Sequence, residues 1–306
     1  MPALNTGTSG VVLPAEVSNE IWAKTIEESA IMSLATKMPL PGAGEEVQLI
    51  TSDPEAHWRS EMGASQISTP GLASKTIKGY ELSVIVPFSN EFKRDKGPLY
   101  DEIVERTPKA IGGKVDRTVF GLATKPGELF DQLSNCTAVD IETNPWGGLV
   151  NADQAISLGG GILDGWALAT QAKGMLLTAV DNNNRPIFVN SATSDKGISA
   201  LMGSGAHISK NIYKAASGST PAQLGFAGDW TGARWGSVED IRMSISDQAT
   251  LTIDGEQVNL WQNGMFAVKF DFNFGFRTKF PEQFVKLVGK TPATTPSVPS
   301  TGQDNG

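Results

Sequence analysis

Side chains that could do chemistry are few and scattered in this 306-residue chain. Its two histidines, His57 and His207, are the only imidazole bases on offer to a serine or cysteine nucleophile, and neither lies in a nucleophile motif. The single cysteine, Cys136, leaves no partner for an intrachain disulfide and rules out a metal site of clustered thiolates. It reads as a small buried hydrophobe. Gly159-Gly160-Gly161 could open a phosphate cradle, but Asp164 stands where a dinucleotide fingerprint wants its last glycine, and no lysine and hydroxyl pair follows. The run reads as a hinge or turn. Asp181, Asn183 and Arg185 take the first, third and fifth places of a calcium loop, yet Ala192 sits where the bidentate glutamate belongs, so a turn accounts for them. Neighbouring carboxylates such as Glu27-Glu28 and Glu45-Glu46 do not face one another on a helix or strand and read as solvated surface. The expectation is a chain that is not an enzyme and carries no cofactor and no metal.

Charge points the same way. With 25 basic and 33 acidic residues the net charge is -8. That balance argues against a general phosphate-binding surface and leaves room only for weak, sequence-independent contact with nucleic acid. The 40% hydrophobic content is enough for one or two cores. Met1 to Gly10 lacks the basic stretch and apolar core of a secretory signal, and no window approaches the roughly 20 apolar residues of a membrane helix. A chain made in the cytoplasm, with no membrane partner, is expected.

The elements that would position these residues follow from periodicity. Val17, Ile21, Ile26 and Ile31 suggest a short amphipathic helix after a polar arm. Glu46 to Ile50 and Tyr80 to Val86 read as strands, the second ending before Pro87. The polar excursion between them holds Trp58, Glu61, Lys75 and Lys78. A loop of that length is usually functional, and a two-stranded arm is marginal without a partner surface. Leu99, Ile103, Val104, Ile111, Val115, Val119 and Leu122 give one long helix from Pro98 to Ala123, kinked at Pro108 and softened at Gly112-Gly113. Trp166 to Ala169 reads as a strand and Gln171 to Val180 as a helix, within an α/β lobe. Phe266, Val268, Phe270, Phe272, Phe274 and Phe276 alternate strictly, the mark of a long strand with one apolar face. Lys290 to Gly306 is too poor in apolar residues to order itself.

Several segments, in order, resemble the major capsid proteins of tailed phages with the Hong Kong 97-type fold. They are Ala56-His57-Trp58-Arg59-Ser60-Glu61, then Val86-Pro87-Phe88-Ser89-Asn90-Glu91-Phe92, then Gly165-Trp166-Ala167-Leu168 and Asp181-Asn182-Asn183-Asn184-Arg185-Pro186. Gly228-Asp229-Trp230, Asn263-Gly264-Met265-Phe266 and Pro281-Glu282-Gln283-Phe284 complete the series. Asn184 replaces the family's usual glycine. The resemblance implies an α+β fold divided as N-arm 1–44, extended β-hairpin loop 45–83, peripheral domain with a long spine helix 84–134, axial α/β domain 135–246, a return to the peripheral domain 247–289, and a flexible tail 290–306.

It further implies a virion component that assembles with itself into pentamers and hexamers, enclosing double-stranded DNA in an icosahedral shell. The implied partners are a separate scaffolding protein, a portal protein and a decoration protein. The candidate inter-subunit contacts are Trp58, Glu61, Lys75 and Lys78. Some family members crosslink a loop lysine to an asparagine, which would pair Lys75 or Lys78 with Asn259, Asn263 or Asn273. An encapsulin-type nanocompartment shell, an α/β enzyme with an unrecognised site and another virion component are the rival readings.

Overall fold

In the computed structural model the chain is described over residues 15–42, 45–52, 56–59, 67, 71–93, 96–180, 183, 185, 187, 200–239, 241–253 and 255–290. The expected tail beyond residue 290 and Glu61 lie outside these residues, as does most of the Asp181 to Pro186 turn. In chain order the elements are α1 (Ala15–Glu28), α2 (Ala30–Leu34), β1 (Thr36–Pro39), β2 (Glu45–Ser52), β3 (Gly71–Ile77), β4 (Tyr80–Ser89) and α3 (Lys96–Val119). Then come β5 (Thr137–Asp140), α4 (Pro145–Leu158), β6 (Gly165–Ala169), α5 (Thr170–Leu177), β7 (Ala200–Leu201), β8 (Ser204–Ser209) and β9 (Gln223–Gly228). The chain closes with β10 (Ala233–Ser237), β11 (Arg242–Ser246), β12 (Thr250–Ile253), β13 (Glu256–Asn259), β14 (Met265–Thr278) and β15 (Phe284–Val288). They divide into two compact units, one of residues Met1–Asn135 and Trp230–Pro281, the other of Cys136–Asp229 and Glu282–Gly306.

The first unit is organised by β14. Its period-two phenylalanines, Phe266, Phe270, Phe272 and Phe276 among them, are buried, as the alternation requires. Along one edge β14 pairs antiparallel with β4 from Phe274 opposite Tyr80 to Met265 opposite Ser89. The other edge is shared by β11 and β10, and β1 lies parallel to β10. β4 runs through Pro87, opposite Ala267, instead of ending before it. Pro is tolerated there because β4 pairs on one side only among the described residues, so the absent N–H need not serve a ladder.

Over the sheet's apolar face sits an aromatic cluster. Trp22 of α1 meets Phe272 at 5.2 Å and Trp235 at 6.1 Å between centroids, and Trp235 stacks on Phe274 at 6.0 Å. The Trp235 indole donates to the Ala35 carbonyl at 3.1 Å, which satisfies its one buried donor.

The long helix exists as α3, with Thr107, Ile111, Val115 and Val119 forming a buried four-residue repeat. Gly112 serves a close approach: a Cβ there would stand 3.3 Å from the Thr25 carbonyl oxygen and 3.4 Å from the Ser29 nitrogen. Fully buried Asp116 accepts from the Ser29 hydroxyl at 2.7 Å and from the Ala30 and Ile31 amides at 3.0 and 3.3 Å. These bonds tie the break between α1 and α2 to α3.

The second unit is a six-stranded sheet in the order β5-β15-β9-β6-β8-β7. β6 and β9 are buried along their whole length, the pattern of central strands covered on both faces. The division of the chain differs from the sequence expectation at two places. Residues 230–246, expected in the axial lobe, contribute β10 and β11 to the β14 sheet of the first unit. Residues 284–288, expected in the return, form β15 between β5 and β9 of the second unit. The apolar run Phe284, Val285, Leu287, Val288 is buried on both faces, which only a sheet interior provides.

Candidate inter-subunit contact sites

β2 and β3 pair antiparallel from Glu45 opposite Ile77 to Ser52 opposite Gly71, with an irregularity between Ile50 and Ser52. No third strand joins them among the described residues. The hairpin's root is fixed to the end of β14 by charge. The Lys75 ammonium donates to the carbonyls of Thr278 at 2.9 Å and Lys279 at 3.2 Å. The Arg277 guanidinium donates to the Thr76 carbonyl at 3.0 Å and forms a 2.6 Å ion pair with Asp131. The second Asp131 oxygen accepts from the Thr278 amide at 3.0 Å, so one carboxylate holds the β14 terminus in place. Backbones crowd at this point: a Cβ on Gly275 would fall 2.5 Å from the Lys78 carbonyl oxygen. Ile77 closes the root as a fully buried side chain.

Of the four candidate contact residues, two lie at this root and one far out on the excursion. Lys75 is half-buried and engaged by its own chain, whereas Lys78 is exposed. Trp58 is fully exposed, in company with exposed His57 and Arg59. Glu61 lies outside the described residues. Asn259, Asn263 and Asn273 are not gathered with the lysines by any contact seen among the described residues. Asn259 accepts from the Gln262 amide at 3.1 Å, Asn263 donates to the Asn259 carbonyl at 2.8 Å, and Asn273 pairs with Glu81 in the β4 ladder.

No group of three or more His, Cys, Asp or Glu able to hold a metal is present among the described residues. No described helix is long and apolar enough to cross a membrane. A cleft of about 200 Å³ in the first unit is lined by Tyr80, Leu82, Val115, Phe130 and Phe274, with Glu81 and Lys114 as its only ionisable side chains apart from tyrosine. It lacks a nucleophile and base in convergence. Burial pushes the Cys136 thiol up to about 12, which suits an inert thiol and not a nucleophile.

Sequence reading passed over α4 and its lead-in. Asn144 caps the helix through the Gly147 amide at 3.0 Å, Pro145 follows at its first turn, and the Asp140 carboxylate accepts from Glu142 and Thr143 amides at 2.8 and 3.2 Å. Burial works to raise the Asp140 carboxyl, but the Thr143 hydroxyl and these two amides outweigh it and hold it below the usual carboxylate range. The Asn-Pro pair was the available signal for the helix start.

The described residues thus form two units of mixed helix and sheet, with a paired hairpin rooted on the first. The Phage capsid family matches residues 9–289. The chain belongs to that family, and its role is structural and not catalytic. It is 23% identical over 295 residues to the probable major capsid protein gp17 of Mycobacterium phage D29, covering 90% of this chain and 89% of the relative. The corresponding protein of Mycobacterium phage L5 is 24% identical, over 90% of this chain and 88% of that one. Among solved structures, a chain from Microbacterium phage Oxtober96 superposes with a TM-score of 0.69 at 18% identity, covering 86% of this chain and 91% of that one. A chain from the capsid of an empty GTA particle, computed with C5 symmetry, gives 0.63 at 13% identity, over 86% and 90%. The fold is that of phage capsid structures.

Proposed function

We propose that this chain is the major capsid protein of a tailed phage, with the Hong Kong 97-type arrangement, assembling into pentamers and hexamers that tile a shell around double-stranded DNA. The observation that carries the reading is the rooted hairpin: two paired strands held by Lys75 and Arg277 at one end, with Trp58 fully exposed in the excursion they bracket. Two strands without a third are marginal in water, so a neighbouring subunit is the surface that completes them. The likeness to capsid chains over most of the length supports the same reading. In this reading residues 1–44 are the N-arm, 45–83 the extended loop, α3 the spine helix of the peripheral domain, and the second unit the axial domain.

Trp58 and Lys78 face the neighbour, Glu61 stays a contact candidate from its place in the sequence, and Lys75 sets the angle at which the hairpin leaves its own subunit. A scaffolding protein guides closure, a portal protein takes one vertex, a decoration protein binds the outer surface, and the contact with packaged DNA is weak given the net charge of -8. The shell is the virion's, and its subunits are made in the host cytoplasm. Electron microscopy of the purified chain, alone and with a co-expressed scaffolding protein, is the test. Closed particles or five- and sixfold rings are expected, and a monodisperse monomer under every assembly condition overturns the reading.

A further inference from the structure

Leu158, the last residue of α4, is 82% exposed, and Ile162, just beyond the glycine turn, is 78% exposed. Isolated exposed aliphatics are ordinary on any surface, but Leu158 belongs to a larger face and Ile162 follows it by four residues. The exposed positions of α4 are Trp146, Val150, Asn151, Gln154, Ser157 and Leu158. At 100° per residue they fall within an arc of about 140°. None of these carries a charge, and the one ionisable side chain of α4, half-buried Asp153, lies at the edge of the arc beside Trp146. The opposite positions, Leu149, Ala152 and Ile156, are buried in the second unit, so the helix is already committed on its inner side.

The backbone that presents this face is held firmly. Besides the Asn144 cap, the Gly161 amide donates to the Ile156 carbonyl at 3.1 Å, and the Ile162 amide donates to Asp229 at 3.3 Å. A contact made by side chains on a fixed helix and a bonded turn loses little ordering entropy on association. Charge selects the occupant. The chain carries 33 acidic against 25 basic residues, so copies brought together over an average part of their surface repel. A face whose exposed positions are uncharged, with Asp153 only at its edge, is where two such copies meet with least like-charge repulsion.

We infer that the outer face of α4, from Trp146 through Leu158 and on to Ile162, is covered by a second copy of this chain in the assembled shell. The inference rests on the capsid reading and adds a contact surface on the second unit, separate from the hairpin of the first. In a ring the contact is heterologous, so this face meets a different patch on its neighbour.

The test starts from the parent chain under conditions where it forms shells. Leu158→Asp combined with Ile162→Asp is expected to lower shell yield at least tenfold while the unassembled subunit keeps its circular dichroism spectrum and unfolding midpoint. Shells at parental yield from this variant overturn the inference and leave the capsid reading standing, whereas a parent that never assembles sinks both. A second variant is independent of any folding defect in the first. In Leu158→Cys, maleimide should label residue 158 rapidly in unassembled subunits and at least tenfold more slowly in shells, with labelling of half-buried Cys136 in the parent chain subtracted. Equal labelling in the two states overturns the inference.

Discussion

The β2–β3 hairpin and the β4–β14 pair are built from the same antiparallel ladder, and they differ in what lies beside them. β14 is flanked on both edges, by β4 on one side and β10 and β11 on the other, and lays its phenylalanines against Trp22 and Trp235. Among the described residues the hairpin has one partner per strand, and it is fastened at its root by Lys75, Arg277 and Ile77. Backbone pairing is equal in kind, and the buried phenylalanines of β14 add side-chain burial at roughly 25 cal/mol per Å² of apolar surface removed from water. One pair is completed within the subunit, and the other, in the proposed reading, is completed by a neighbour.

Three substitutions bear on that contrast. Phe272→Ala removes a buried ring that touches Trp22 and Phe274, and should cost about 3–5 kcal/mol of global stability in a denaturant titration. A loss under 1 kcal/mol would remove β14 from its central place. Arg277→Ala breaks the ion pair to Asp131 and the bond to Thr76 together, at about 2 kcal/mol, and should speed amide exchange in β3 more than in β4. Equal acceleration in both strands would show that the guanidinium is not specific to the hairpin root. Trp58→Ala should change the unassembled subunit's stability by less than about 0.5 kcal/mol, since nothing of its own chain buries the ring. Its effect belongs in assembly yield, where a severalfold loss is expected by sedimentation.

Much of the first unit was legible in the sequence because its signals are periodic and local. Six apolar residues at strict period two announce β14 in any context, and the repeat from Ile111 to Val119 announces α3. What stayed hidden depends on partners distant in sequence. Asp116 looks like one more charged helix residue, and its role as acceptor for the α1–α2 break becomes visible only when Ser29, 87 positions earlier, is brought beside it. Its place next to Val115 and near Val119 on the buried side was the only local hint. Gly112 read as a weak point of the helix because a close approach by another helix has no local signature. The same holds for β10, β11 and β15, short strands whose sheet is decided by which neighbour they pair with. Lys75 read as a surface cation available to a neighbour, yet two carbonyls at the far end of β14 engage it. The exposure of Trp58 was legible because a large aromatic in a polar excursion has no core of its own to enter.

Hydrogen exchange, followed on unassembled subunits and on purified shells, tests the contrast most directly. Amides of β4 and β14 are expected to be protected in both states, while those of β2 and β3 exchange rapidly in the free subunit and slow at least tenfold on assembly. Hairpin amides protected to the same degree in the free subunit as in the shell would contradict it, because the hairpin would then be complete without a neighbour.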